Sequence, residues 1–204
     1  MTLIDSADLR PIHEAEKFNA RSIRRLIARR IDRNSFVKNT ECMPTVYVET
    51  SIVSYLRSRA ASHVVAAARQ LLTRRWWDEE RHGYDLVISQ YVLDEASKGH
   101  PTLAAERLNH LEGIPLLEIV PEIQEIANAI LAQAILPAKA EFDALHFAVA
   151  AYYHVDYLLT WNCTHIANAR ILPRIQEILL QTGFPSPMVC TPEEMVDDEL
   201  DAQE

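Results

Sequence analysis

The run Thr45-Val46-Tyr47-Val48-Glu49-Thr50-Ser51-Ile52 constrains the fold more than any other stretch of the chain. Val46, Tyr47 and Val48 are β-branched or aromatic without a polar alternation, the pattern of a strand covered on both faces. Strands of that kind belong to parallel sheets, whose crossovers place helices above and below. Thr50 or Ser51 then caps a helix that begins at once. Glu49 lies where strand hands over to helix, and in open parallel sheets that edge is where ligands bind.

The same alternation recurs to the end of the chain. Ser54 to Leu56 reads as a short helix. His63 to Arg81 reads as a longer one, stopped by Gly83, with Val64, Ala67, Ala68, Leu71, Leu72 and Trp76 on its apolar side. Strands are predicted over Tyr84–Ser89, Leu116–Val120, Tyr157–Thr160 and Met188–Cys190. Between them come helices over Tyr91–Ser97, from Pro101, and over Pro121–Ile135, Glu141–His154 and Ile171–Thr182. Strands alternating with helices imply right-handed crossovers. The predicted class is α/β, a three-layer α/β/α sandwich with a parallel sheet of about five strands.

Composition supports one such domain. The 204 residues are 49% hydrophobic, enough for a large core, and 4 Gly with 10 Pro argue against low complexity. No apolar run reaches the roughly 18 residues of a membrane span, and the first residues lack the order of a secretion signal. Cys42, Cys163 and Cys190 are odd in number and scattered, which suits a reducing cytoplasm rather than a disulfide framework. Charge divides the chain. Residues 1–43 hold 9 Lys/Arg against 6 Asp/Glu, whereas residues 44–204 hold 11 against 23, a net −12. A body so acidic does not grip nucleic acid through a broad basic surface. It can still meet phosphates through bound cations.

Residues 1–42 read as an extension, with Met43 as an alternative start two residues before the first strand. Within it, Ile23, Leu26, Ile27 and Ile31 recur at helical spacing among six arginines, so residues 16–33 fit an amphipathic basic helix that contacts a partner or RNA. The domain proper is predicted over 43–192, with an acidic tail over 193–204.

Three carboxylates stand out. Glu49 follows the first strand, and Glu95 lies on the helix after the second, where a plain surface role also fits. Asp143 interrupts a helix that is otherwise apolar; between Phe142 and Tyr153 only Asp143 and His146 are strongly polar. A helix apolar all round is buried, and a buried carboxylate needs a reason. It either stabilises the first helical turn or binds metal. His146, on the same helical face, reads as a hydrogen-bonded wall residue more readily than as a ligand. Thr160-Trp161-Asn162 brings further polar groups to a strand end. Glu49, Glu95 and Asp143 are hard oxygen donors suited to Mg²⁺ or Mn²⁺.

These segments, in this order, resemble a PIN domain of the VapC toxin type over Thr45 to Thr191. Val46-Tyr47-Val48-Glu49-Thr50-Ser51 resembles the opening strand, where the family usually carries Asp and some branches Glu. The stretch Ile88-Ser89 to Lys98-Gly99 resembles the segment with Glu95 in the acidic position. Asp143-Ala144-Leu145-His146-Phe147-Ala148 resembles the helix of the third acid, and Leu159-Thr160-Trp161-Asn162 the strand end where many members have a fourth. The resemblance implies a metal-dependent endoribonuclease with Mg²⁺ or Mn²⁺ on Glu49, Glu95 and Asp143, and Asn162 in the fourth position. Thr50, Ser51, His146 and Thr160 support them. It also implies an RNA substrate, a cognate antitoxin that inhibits, and a homodimer. Glu49 and Asn162 depart from the usual pattern. A catalytically silent PIN-fold binding or regulatory protein therefore stays open, as does a different Mg²⁺-dependent phosphohydrolase.

Overall fold

A computed structural model describes residues 30–31, 43–57 and 63–197. Its centre is a sheet of parallel strands: β1 (Arg30–Ile31), β2 (Thr45–Val48), β3 (Asp85–Ser89), β4 (Leu116–Leu117), β5 (Tyr157–Leu159) and β6 (Met188–Cys190). Their spatial order is β1-β4-β3-β2-β5-β6. The five strands predicted from the sequence are all present, and β1 adds a two-residue rung beyond β4, Arg30 opposite Leu116. The helix expected over residues 16–33 therefore does not reach its proposed end. Its remainder lies outside the described residues, as does the acidic tail from residue 198.

Helices cover both faces. α1 (Thr50–Arg57), α2 (Val64–Arg75), α3 (Gln90–Ala96) and α4 (Pro101–His110) link β2 to β3 and β3 to β4. α5 (Pro121–Ala132), α6 (Glu141–Tyr152) and α7 (Leu172–Gln181) link β4 to β5 and β5 to β6. α1 packs on α2, α3 and α4, whereas α5 packs on α6 and α7, so the two groups form the outer layers. This is the three-layer α/β/α sandwich. The chain runs outward from β2 to β4, then crosses to β5 on the other flank of β2. Crossovers leave in opposite directions there, which opens a crevice at the carboxyl ends of β2 and β5.

Central burial follows the sequence pattern. Val46, Tyr47 and Val48 are fully buried, as are Leu158 and Leu159 beside them. Their register is tight: Tyr47 opposes Val87 on one side and Leu158 on the other. Every residue from Ala144 to Ala151 of α6 is buried, as expected for a helix apolar on all sides.

Two elements differ from expectation. The third strand is only Leu116–Leu117, because residues 118–120 leave the ladder before α5. The long helix ends at Arg75 and continues as a wider π-helical turn over Trp76–Glu80 and a 3₁₀ turn over Arg81–Gly83. Its packing is also not the predicted stripe. Trp76 is buried, but Val64, Val65 and Leu71 are exposed, and Gln70 and Thr73 point inward. Thr73 has a partner to meet: the indole Nε1–H of Trp161 donates to its Oγ1 at 2.7 Å. Burying a hydroxyl is tolerable when it is so paired.

Candidate metal centre

The crevice between β2 and β5 gathers side chains from four parts of the chain. Glu49 leaves the end of β2 and is 6% exposed. Its Oε2 accepts the Ser51 backbone N–H at 3.1 Å and the Thr160 hydroxyl at 2.7 Å. The Ser51 hydroxyl donates to the same oxygen. These two hydroxyls accept in turn: Trp161 N–H gives 2.7 Å to Ser51 Oγ, and Asn162 N–H gives 2.8 Å to Thr160 Oγ1. The start of α1 and the end of β5 are thus stitched together through one carboxylate oxygen. Oε1 of Glu49 receives no donor from the described residues.

Glu95 is arranged the same way. Its Oε2 accepts Thr50 Oγ1–H at 2.8 Å and faces His146 Nε2 at 2.9 Å, while Oε1 receives no donor from the described residues. His146 is 1% exposed, and its Nδ1 lies 2.8 Å from the Tyr47 hydroxyl, which is 2.6 Å from Ser89 Oγ. With no metal bound, one set of hydrogens satisfies the whole row. Ser89 donates to Tyr47, Tyr47 to His146 Nδ1, and His146 Nε2–H to Glu95. Burial pushes the Tyr47 hydroxyl well above its ordinary value, the Ser89 bond opposes, and Glu49 and Glu95 add to the rise. Tyr47 is therefore a neutral donor. For Glu95, burial raises the carboxyl, but the bond and charge of His146 and the bond of Thr50 outweigh it, so the net shift is downward.

Asp143 is held differently. Its Oδ1 accepts Asn162 Nδ2–H at 2.8 Å, and its Oδ2 lies 2.8 Å from His165 Nδ1. Asn162 Oδ1 accepts the backbone N–H of His165 at 3.1 Å, which orients the amide so that its NH₂ meets the carboxylate. Burial raises the Asp143 carboxyl; His165 and His146 pull it down, Glu95 pushes it up, and the net shift is upward. Asp143 is joined to the Glu49 group through Asn162, whose backbone N–H donates to Thr160 Oγ1.

Glu49, Glu95 and His146 each offer a donor atom, and these atoms lie within 4.8 Å of one another. Neighbouring donors on one cation, each about 2.1 Å from it, are about 3 Å apart, so the spacing suits a shared ion. No Lys or Arg of the described residues forms an ion pair with Glu49 or Glu95. Two carboxylates so placed repel unless a cation lies between them. The donor set therefore fits a divalent metal. Its third member is His146, where the sequence pointed to Asp143. Among the expected supporting groups, Ser51 and Thr160 hold Glu49, whereas Thr50 crosses to hold Glu95.

Beside the crevice, the Arg69 guanidinium lies 5.0 Å over the Trp161 ring. Its NH1 donates to the Tyr55 hydroxyl and its NH2 to Cys163 Sγ, each at 3.4 Å. Neither of these partners is a carboxylate.

No protein-family model matches the chain, and no curated protein matches it. Among solved structures it is similar to Mycobacterium tuberculosis VapC20, described as a Sarcin-Ricin loop cleaving toxin. The two are 17% identical, the match covers 70% of this chain and 99% of that one, and the TM-score is 0.46.

Four contributors escaped the sequence reading. His165, Tyr47, Ser89 and Arg69 each have a partner 22 to 99 positions away, so no local pattern marks them as a set. Tyr47 sits in an apolar run and counts there as core. A signal existed for His165, which lies three residues after Asn162, the spacing of a side-chain-to-backbone turn.

Proposed function

We propose that this chain is a metal-dependent endoribonuclease that hydrolyses RNA phosphodiester bonds, acting in the cytoplasm as the toxin of a toxin–antitoxin pair. The observation that carries the proposal is the convergence of Glu49 and Glu95 at the switch point of a parallel sheet, with Asp143 linked to Glu49 through Asn162 and Thr160. The PIN-type resemblance of the four segments bearing Glu49, Glu95, Asp143 and Asn162 supports the same reading. When bound, Mg²⁺ or Mn²⁺ activates water and offsets charge on phosphoryl oxygens.

The protein's share of the work is positional. Glu49 and Glu95 each have one oxygen pinned by donors and the other open, so each is pre-set as a ligand. Ser51, Thr160 and Thr50 do the pinning. Asp143 adds a third negative charge, steadied by His165 and by the Asn162 amide in the fourth-acid position. In this reading Arg69, beside Trp161, takes a phosphate of the RNA backbone. A cognate antitoxin would block the crevice, and the active form would be a homodimer.

A second reading has its own observation. Both oxygens of Asp143 already have protein partners, as fits a PIN-fold binding or regulatory protein without catalysis. Titrating Mn²⁺ against cleavage of short RNAs, with Asp143→Asn as control, separates the two. Cleavage that rises with Mn²⁺ and is lost in Asp143→Asn supports the nuclease. Mn²⁺ binding without cleavage supports the silent protein.

A further inference from the structure

We infer that His146 is a direct ligand of the cation, and that its nitrogen makes this centre favour Mn²⁺ over Mg²⁺. The inference rests on the metal reading above and deepens it. Nε2 of His146 lies 2.9 Å from Glu95 Oε2, beside the carboxylate whose other oxygen receives no donor from the described residues. It also shares the 4.8 Å cluster with Glu49. The ring is 1% exposed and fixed from behind by Tyr47 and Ser89, so Nε2 cannot swing away to water.

The row of hydroxyls also permits the tautomer that ligation needs. A ligating Nε2 must give up its hydrogen, which leaves the ring protonated on Nδ1. Nδ1–H then donates to the Tyr47 oxygen, and Tyr47 O–H turns to donate to Ser89 Oγ. Both hydroxyls rotate freely between roles, so the ring keeps a partner in either state. Metal-bound histidines usually donate the second ring N–H in this way, which fixes ring orientation and raises ligand basicity. Glu95 keeps the Thr50 hydroxyl as donor when Nε2 turns to the ion. Imidazole nitrogen suits borderline transition cations, whereas Mg²⁺ demands oxygen and sheds water reluctantly. Two carboxylates with one imidazole therefore discriminate where three carboxylates would not.

Pulsed electron paramagnetic resonance on the full-length protein loaded with Mn²⁺ reads the ligand directly. The expected result is a nitrogen coupling in the wild type that disappears in His146→Gln. Calorimetric titrations should show Mn²⁺ binding more tightly than Mg²⁺, with the gap narrowing by roughly 10-fold or more in His146→Gln. Tyr47→Phe should keep the nitrogen coupling but weaken Mn²⁺ about 10- to 100-fold, as loss of an outer partner does. The wild-type spectrum needs no variant to fold, and thermal unfolding in chelator checks both variants. Bound Mn²⁺ without nitrogen coupling overturns the inference and leaves the nuclease reading standing. A coupling that persists in His146→Gln also overturns it, assigning the nitrogen to another residue. Failure of the wild type to bind Mn²⁺ overturns both.

Discussion

Burial raises the carboxyls of both Asp143 and Glu95, yet their net shifts are opposite. The Asp143 carboxyl is raised, because burial outweighs its bond to His165. The folded state therefore holds that proton more tightly than the unfolded chain. The corresponding stability is fully present below the ordinary aspartate value of 3.8 and is lost as pH rises through the raised folded value. Glu95, lowered by His146 and Thr50 despite burial, runs the other way: its contribution is present above 4.5 and lost as pH falls through the folded value. In chelator, the stability of Asp143→Asn relative to wild type should be greater at about pH 7 than at about pH 3.5. Urea unfolding midpoints at the two pH values measure this, and a difference independent of pH would contradict the burial argument. At this scale the sequence was half legible. Glu49 and Glu95 were marked by their places after strands. His146 was read as a hydrogen-bonded wall residue and is one, but its partners Tyr47 and Glu95, 99 and 51 positions away, were not legible. Asn162 lies just after β5, but its amide oxygen is taken by the His165 backbone, so it offers Asp143 a donor.

Among the elements, α2 shows where periodicity misleads. Its apolar residues recur at helical spacing, yet Leu71 is 67% exposed while Thr73 is fully buried. The deciding contact is tertiary: the indole N–H of Trp161, two residues after Leu159 of β5, needs an acceptor and finds Thr73. No pattern within α2 can announce that need. Thr73→Val should cost about 1–3 kcal/mol, the penalty for an orphaned buried donor. Leu71→Lys should change stability by no more than about 0.5 kcal/mol. Denaturant unfolding of both variants ranks them, and the reverse order would mean that α2 packs through Leu71. In α6, by contrast, the pattern was decisive. A helix apolar on all sides has to be buried, and every residue from Ala144 to Ala151 is.

For the whole molecule, the order of strands was legible only as alternation. Helices between strands implied parallel crossovers, but not which strand lies beside which. The jump from β4 to β5 across β2 makes the crevice, and it comes from packing two helical layers rather than from any motif. β1 lies outside the bounds drawn from sequence, and Arg30–Ile31 pairs with the buried Leu116–Leu117. Deleting residues 1–42 removes that edge rung but no central strand. The truncated protein should still unfold in one cooperative transition, at a lower midpoint than the full chain. Loss of soluble folded protein would show that the extension is part of the core. The proposed nuclease holds a divalent cation in the crevice and cuts RNA with it. Strand scission of a short RNA, followed across a Mn²⁺ titration for wild type and Glu49→Gln, reads that activity. Scission should depend on Mn²⁺, stop in chelator, and fall in Glu49→Gln by more than the roughly 10- to 100-fold that loss of an outer partner causes. Scission that persists in chelator, or at the wild-type rate in Glu49→Gln, would contradict it.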